Sequence, residues 1–598
     1  MGEFRFYYPR RALDPTLAQY AFIARRMRAP AVTETRVERC SETRDMLVLR
    51  TRSDEAGVLY VPFIDAHGCF FFASTETLSP SETPRPLYLE LARGQLSRLF
   101  NKSCDWLMRG FVPSINLRVS SRNAIRRFTR LCIADKNDPN FDDRSFDFFK
   151  SLCTLSAQVN EQYLSRVLTV RGDLSSRWVT RFGFSGPVDS SWPELYDSVF
   201  VPQGGKARPK IDPIFQTLNP DFYWANIEHD DGDYNWFPFD AAMGHAESRN
   251  LSTTIGPLIR WGEMPPRFID DRPEQEVRQY FKRYVSKLLE RDGKRAKRWI
   301  VATNVESKVE GTTIETRLVL AAQLAFEIKR QHPKAQAFLG FDQPFGDSSR
   351  CIVQDMTPLE LAMRVASRRV FDGFYLEVNF GLSDNATYPR DPMELHRFFD
   401  RWCALGVPIC LGLSCPSAEL PTHIPEESST VVVDPNKTHP VKRGDRPSPN
   451  VNESDSDLLS DSSNGEDATA PPAIWHEEMQ RETMRRFITS ALSHRNVDEI
   501  IFTKFADSLE YGSDILNEEN DDEDEKTNPF IMKSVLTEET FLDSDRNEII
   551  ELVQKESKLG RYNPRDRNRF PTSGLFDETG APKSTLHKLS AIRRAYID

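Results

Sequence analysis

Apolar and polar positions alternate in short runs over roughly the first 85 residues, and this period of two predicts strands over 3–8, 46–51, 57–63 and 69–73. From Tyr88 the period lengthens. Leu89, Leu96, Leu99 and Phe100, then Ile125, Phe128 and Leu131, then Phe146, Phe149 and Leu152 recur at helical spacing to about residue 168. A linker is expected over about 172–192. Beyond about residue 213 strands and helices alternate: strand-like runs at 222–227, 254–259, 299–303, 337–341, 373–378, 408–413 and 499–502, with amphipathic helices at 274–290, 316–331, 358–367 and 392–405. Such alternation implies parallel strands joined by crossover helices, and about eight units close into a barrel. Seven strands are clear. The eighth is expected between 261 and 299 or near 473. The expected class is therefore α/β: a (β/α)₈ TIM barrel over 179–598, preceded by a small β-sandwich-like domain over 1–85 and a helical segment over 86–178.

Two stretches break this rhythm. Residues 421–472 are rich in Ser, Asp, Pro and Asn, and 512–545 contain a nearly all-acidic run at 518–526. Segments of this composition bury too little apolar area to offset the entropy of ordering, so both are expected to be disordered insertions in barrel loops. Elsewhere the chain has ample core material, with 39% hydrophobic and 11% aromatic residues among 598.

The formal net charge of −11 argues against nucleic acid as a partner, because phosphate backbones are held by clustered Lys and Arg. Nine cysteines stand singly, with no CxxC pair, so neither a metal site nor a disulfide framework is expected. No cofactor is expected either. The N-terminus lacks an apolar signal core, Phe6 stands where a myristoylation signal has Ser or Thr, and no run of about 18 apolar residues occurs. No membrane partner is expected, and the expected compartment is the cytoplasm. Oligomeric state is not legible.

Several strings occur in a telling order. Phe222-Tyr-Trp-Ala-Asn-Ile-Glu228 runs on to Gly232, Tyr234, Trp236 and Asp240; Gly256-Pro-Leu-Ile-Arg-Trp261 precedes Met264-Pro265; Lys297-Arg-Trp299-Ile-Val-Ala-Thr-Asn304 follows. Then come Asp372-Gly-Phe-Tyr-Leu-Glu377-Val, the segment from Phe398 through Pro408-Ile-Cys-Leu-Gly-Leu413, and a terminal unit with Gln480, Arg486 to His494, 500–507 and Gly574 to Lys583. Together these resemble the strands of the glycoside hydrolase family 10 barrels, the endo-1,4-β-xylanases, over roughly 212–598. The N-terminal 210 residues lie outside the match; with the barrel they are similar to bacterial proteins carrying a degenerate family-10 region.

The resemblance implies two glutamates, an acid/base just after the string ending in Asn304 and a nucleophile at the end of the string that begins at Pro408. A retaining glycosidase needs two carboxyl groups about 5–5.5 Å apart. Here Val305 and Leu413 stand at the matching positions, and neither can transfer a proton or attack a sugar carbon. The family's histidines of the second matching string are replaced by Pro257 and Gly262. Other carboxylates lie near predicted strand ends, where a barrel places its site. Glu306 follows Val305 and reaches the site only through a β-bulge, because side chains alternate along a strand. Glu377 and Asp342 are candidates for a relocated pair, and the bland reading is that they bond to neighbours or cap helices. Trp261, Asn304, Gln343, Glu377 and Glu228 are candidate substrate ligands; Trp224, Trp236 and Trp299 are more simply core.

Three functions are therefore expected in order. The first is a catalytically impaired, xylanase-like barrel that binds oligosaccharide or polysaccharide. Next is an active glycoside hydrolase with relocated carboxylates such as Glu377. A protein-interaction scaffold comes third. The fold alone does not choose among them.

Overall fold

The computed structural model describes residues 1–25, 33–66, 68–174, 180–186, 214–220, 224–261, 274–292, 296–306, 313–347, 356–382, 386–418, 475–504, 574–575 and 583–596. Both acidic insertions lie outside these residues.

The chain begins with β1 (Gly2–Pro9), a short helix α1 (Pro15–Ala18), then β2 (Phe22–Arg25), β3 (Thr33–Arg39), β4 (Arg44–Thr51), β5 (Gly57–Ile64), β6 (Phe70–Leu78) and β7 (Ser81–Pro86). They form a four-stranded sheet in the order β3-β4-β1-β7 and a three-stranded sheet in the order β2-β5-β6. Alternate residues Phe4, Phe6 and Tyr8 of β1 are buried, as the period of two requires. Strands β2, β3 and β7 were not legible in the pattern: β3, for instance, reads TETRVER, with no apolar run.

Three helices follow, α2 (Leu87–Met108), α3 (Ile115–Ile133) and α4 (Phe141–Leu174). Trp106 of α2 stacks on Tyr163 of α4 with ring centroids 4.0 Å apart, and both meet the buried ring of His396 edge-on.

Eight parallel staves close into a barrel. They are β8 (Arg181–Gly186), β9 (Thr217–Pro220), β12 (Ser252–Ile255) continued by β13 (Ile259–Arg260), β14 (Arg298–Thr303), β15 (Gln336–Phe341), β16 (Gly373–Asn379), β17 (Ile409–Ser414) and β18 (Val497–Phe502). Pairing of β18 with β8, Glu499 opposite Arg181, completes the ring. Between β9 and β12 lie α5 (Trp224–Ile227), the small ribbon β10 (Glu228–Asp230) and β11 (Asp233–Tyr234), and α6 (Phe237–Ser248). The later crossovers are α7 (Glu274–Asp292), α8 (Ile314–Gln331), α9 (Pro358–Ala366), α10 (Pro392–Cys403) and α11 (Glu477–Leu492), and α12 (Ser584–Tyr596) closes the chain.

Two expectations are corrected here. Of the strand expected at 222–227, the described residues 224–227 are helical, and Trp224 turns to stack on Tyr284 of α7 at 5.5 Å; 222 and 223 lie outside the described residues. The stave lies just before, at Thr217–Pro220. The stave that completes the eight is Arg181–Gly186, inside the expected linker, and not a strand between 261 and 299 or near 473 among the described residues.

Side chains of successive strand residues divide between two cores. Ile300, Phe338, Tyr375, Cys410 and Ile501 form a compact layer inside the barrel. Trp299, Leu339, Phe374, Leu376, Ile409, Leu411, Leu413 and Phe502 belong to the outer core between staves and helices. Below the inner layer, Arg298 of β14 pairs with Glu499 and Asp498 of β18, and its guanidinium lies 4.2 Å from the Phe338 ring centroid. Thr254 adds a 3.0 Å hydrogen bond to Glu499. This plug closes the N-terminal end of the barrel, the end where a TIM fold keeps stabilising rather than catalytic groups.

Candidate functional site at the barrel mouth

Above the inner layer, at the C-terminal ends of the staves, three charged side chains meet. Arg260 at the end of β13 pairs through Nη1 with Asp342, which follows β15, and through Nη2 with Glu377 of β16 at 2.6 Å. All three are buried. Glu377 also accepts hydrogen bonds from the Tyr375 hydroxyl at 3.2 Å and from Asn379 Nδ2 at 3.1 Å, and Ser414 donates to Asn379 Oδ1 at 2.6 Å. A chain of polar groups thus crosses β13, β15, β16 and β17 at one level. It follows from parity: Tyr375, Glu377 and Asn379 are alternate residues of β16 and face inward together.

Parity also fixes where the residues at the end of β17 point. Leu413 lies in the outer core, so its side chain points at the helices and not at the mouth. The inward positions of β17 are Cys410, Gly412 and Ser414. A Cβ at Gly412 would collide with the Tyr375 hydroxyl and come within 2.6 Å of its Cζ, so this stave has no room for an inward side chain beside Tyr375. On β14 the register against β15 shifts between Ile300 and Ala302, a bulge that turns Thr303 inward, against Gly340. Thr303, not a carboxylate, is therefore the last inward residue of β14. Val305 is fully buried in the outer core.

Glu306 is also buried, and its Oε1 accepts the backbone N–H groups of Asp342 at 2.9 Å and Gln343 at 3.1 Å. This caps the end of β15. Burial, reinforced by the nearby Asp342 charge, pushes the Glu306 carboxyl up to about 7. Asp342 is raised to about 6: burial and the Glu377 charge raise it, against the opposing pull of Arg260. At neutral pH the mouth thus holds two carboxyls with enhanced proton affinity beside one cation.

The remaining candidates are dispersed. Asn304, at φ 58°, donates through Nδ2 to the carbonyl of Trp261, tying β13 to β14. Trp261 is half-buried beside them. Gln343 is buried next to Asp342. Glu228 is fully buried away from the Arg260 trio: it accepts from Trp224 Nε1 at 2.7 Å and Gly232 N at 3.0 Å, and pairs with Arg283 of α7 at 2.5 Å. Its oxygens hold the β10–β11 ribbon to α7. Of the sequence candidates, then, Glu306, Asp342, Glu377, Trp261, Asn304 and Gln343 gather at the mouth and Glu228 does not. Arg260, Thr303 and Tyr375 were missed. Arg260 sits in the Gly256 to Trp261 string, and an arginine flanked by apolar residues at a strand end was the available signal.

No family model matches the sequence, and no curated protein matches it. Among solved structures the barrel is similar to native xylanase 10B from Thermotoga maritima, with 13% identity over 72% of this chain and 97% of that one, TM-score 0.40. Xylanase 10B from Thermotoga petrophila RKU-1, solved with xylobiose, has 13% identity over 73% and 97% and a TM-score of 0.41. The endo-1,4-β-xylanase XylE of Penicillium canescens has 11% identity over 71% and 96% and a TM-score of 0.40. At such identities the likeness is one of fold. The class is fixed by the chain's own geometry: a closed (β/α)₈ barrel whose mouth is crossed by an Asp–Arg–Glu bridge.

Proposed function

We propose that the barrel mouth binds a carbohydrate, in the manner suggested by its family-10-like form, without hydrolysing it. One observation carries the reading: Arg260 spans two inward carboxylates of the mouth, Asp342 and Glu377. Glycoside hydrolysis needs one carboxyl free to give a proton and another free to attack or to activate water. A carboxylate fixed in an ion pair on each side of one guanidinium is poorly disposed to either. What the trio does offer is paired donors and acceptors on a rigid rim, with the half-buried Trp261 beside it, which suits sugar hydroxyls and a pyranose face. On this reading the protein works in the cytoplasm on short oligosaccharides.

The raised proton affinities of Glu306 and Asp342 favour a second reading, an active hydrolase with relocated carboxylates. A glycan-array screen run beside hydrolysis of aryl xylosides and cellobiosides separates the two. Binding without turnover, weakened by Glu377→Gln, supports the first. Turnover abolished by Glu377→Gln supports the second, and neither binding nor turnover removes both.

A further inference from the structure

The helical unit carries a surface unlike the rest of this acidic chain. Helix α3 has five arginines and no acidic residue. Four of them, Arg118, Arg122, Arg126 and Arg130, follow one another at intervals of four, so they form a stripe along one flank of the helix. All four are exposed, and none makes an ion pair or side-chain hydrogen bond among the described residues. Arg127, off the stripe, is occupied over the Phe148 ring at 5.2 Å. The helix is fixed to its neighbours by the opposite side, through Ala124 and Leu131.

Apolar side chains share the outer surface with the stripe. Of thirteen large hydrophobic residues that stand exposed among the described residues, seven fall between Leu107 and Ile133, including Ile115, Val119, Ile125 and Ile133. A purely solvated face would not concentrate them there.

We infer that α3, with the turn leading into it, is a peripheral docking face for an anionic lipid surface. The arginines supply attraction to lipid phosphates and carboxylates, and the interleaved isoleucines and valine supply insertion at the headgroup boundary. A second copy of this face is an unsuitable occupant, because two arginine stripes would oppose each other. Nucleic acid would leave the isoleucines in water. A peptide would need a groove, whereas α3 presents a single convex helix, which a fluid lipid surface accommodates. No described helix is long and apolar enough to cross a membrane, so the contact is peripheral; the sequence alone had suggested no membrane partner.

The test is co-sedimentation of the full chain with phosphatidylcholine vesicles containing or lacking phosphatidylserine, at low and high salt. Binding that requires phosphatidylserine and declines with salt is expected. The variant R118Q/R122Q/R126Q/R130Q should lower the partition coefficient by about three orders of magnitude. I115S/V119S/I133S should weaken binding while keeping its salt dependence. Unchanged thermal melting certifies both variants, and the wild-type lipid and salt titration is decisive by itself if either fails to fold. Absence of binding to the anionic vesicles, binding to neutral vesicles that ignores the arginines, or capture of polyglutamate or RNA in place of vesicles each overturns the proposal.

Discussion

Replacing Arg260 by Gln isolates the electrostatics of the mouth. Asp342 is 6% exposed and Glu377 1% exposed, so both carboxylates lose their common cation in a site with little water. Deleting one partner of a buried ion pair costs about 3–5 kcal/mol. The penalty is unequal: Glu377 retains its bonds from Tyr375 and Asn379, whereas Asp342, whose Oδ1 has no hydrogen-bond partner among the described residues, depends chiefly on Arg260. Asp342 therefore responds mainly by taking up a proton. Its carboxyl already sits at about 6 with Arg260 present, because burial outweighs the cation, and removing the cation raises it further. An acid whose native value exceeds its unfolded value of 3.8 binds protons more tightly when folded. The destabilisation caused by R260Q should accordingly be small near pH 4 and grow as pH rises through 6. Urea unfolding followed by tryptophan fluorescence should show a loss of about 3–5 kcal/mol at pH 8 and clearly less at pH 5. A loss under about 1 kcal/mol at pH 8, in the range of exposed pairs, would refute the claim that this bridge is desolvated. So would equal losses at both pH values.

Three further outcomes follow from the same geometry. The buried Glu306 carboxyl is raised from 4.5 to about 7, so the stability it contributes is present below pH 4.5 and lost as pH climbs to 7; Glu306→Gln should gain on the wild type by about 2–3 kcal/mol across that window in matched urea titrations. Gly412→Ala forces a methyl against Tyr375 inside the barrel and should cost about 1–3 kcal/mol in the same assay; unchanged stability would refute the claim that the position is closed. Thr357 and Glu360 exchange hydrogen bonds as a capping box at the start of α9, at 2.8 Å and 3.1 Å, so Thr357→Ala should lower stability by about 1 kcal/mol while Thr357→Ser should not.

Legibility of the fold tracked the strength of local pattern. Strands such as Gln336–Phe341 and Gly373–Asn379 are mainly apolar, the signature of a stave buried on both faces, and are legible almost to the residue. Arg181–Gly186 reads RFGFSG and Thr217–Pro220 reads TLNP. Glycine and polar residues serve these staves because Gly183 packs tightly against Thr217 and Ile501, and Asn219 spends its amide on the carbonyls of Thr254 and Gly256. Those uses exist only across strands. Aromatic-rich 222–227 misled for the converse reason: its tryptophan satisfies a helix–helix contact that no local period announces.

By itself the sequence determined the alternation of strand and helix, hence parallel staves and a barrel, and it determined that no glutamate occupies positions 305 or 413. Tertiary structure alone decided which side chains face the mouth. That choice depends on a one-residue bulge in β14 and on the register with which β18 closes against β8, and a shift of one residue exchanges every inward side chain for an outward one. It also decided that Arg260 meets partners 82 and 117 residues further on, since an ion pair over such separations is set by the closure of the ring and leaves no trace in local periodicity.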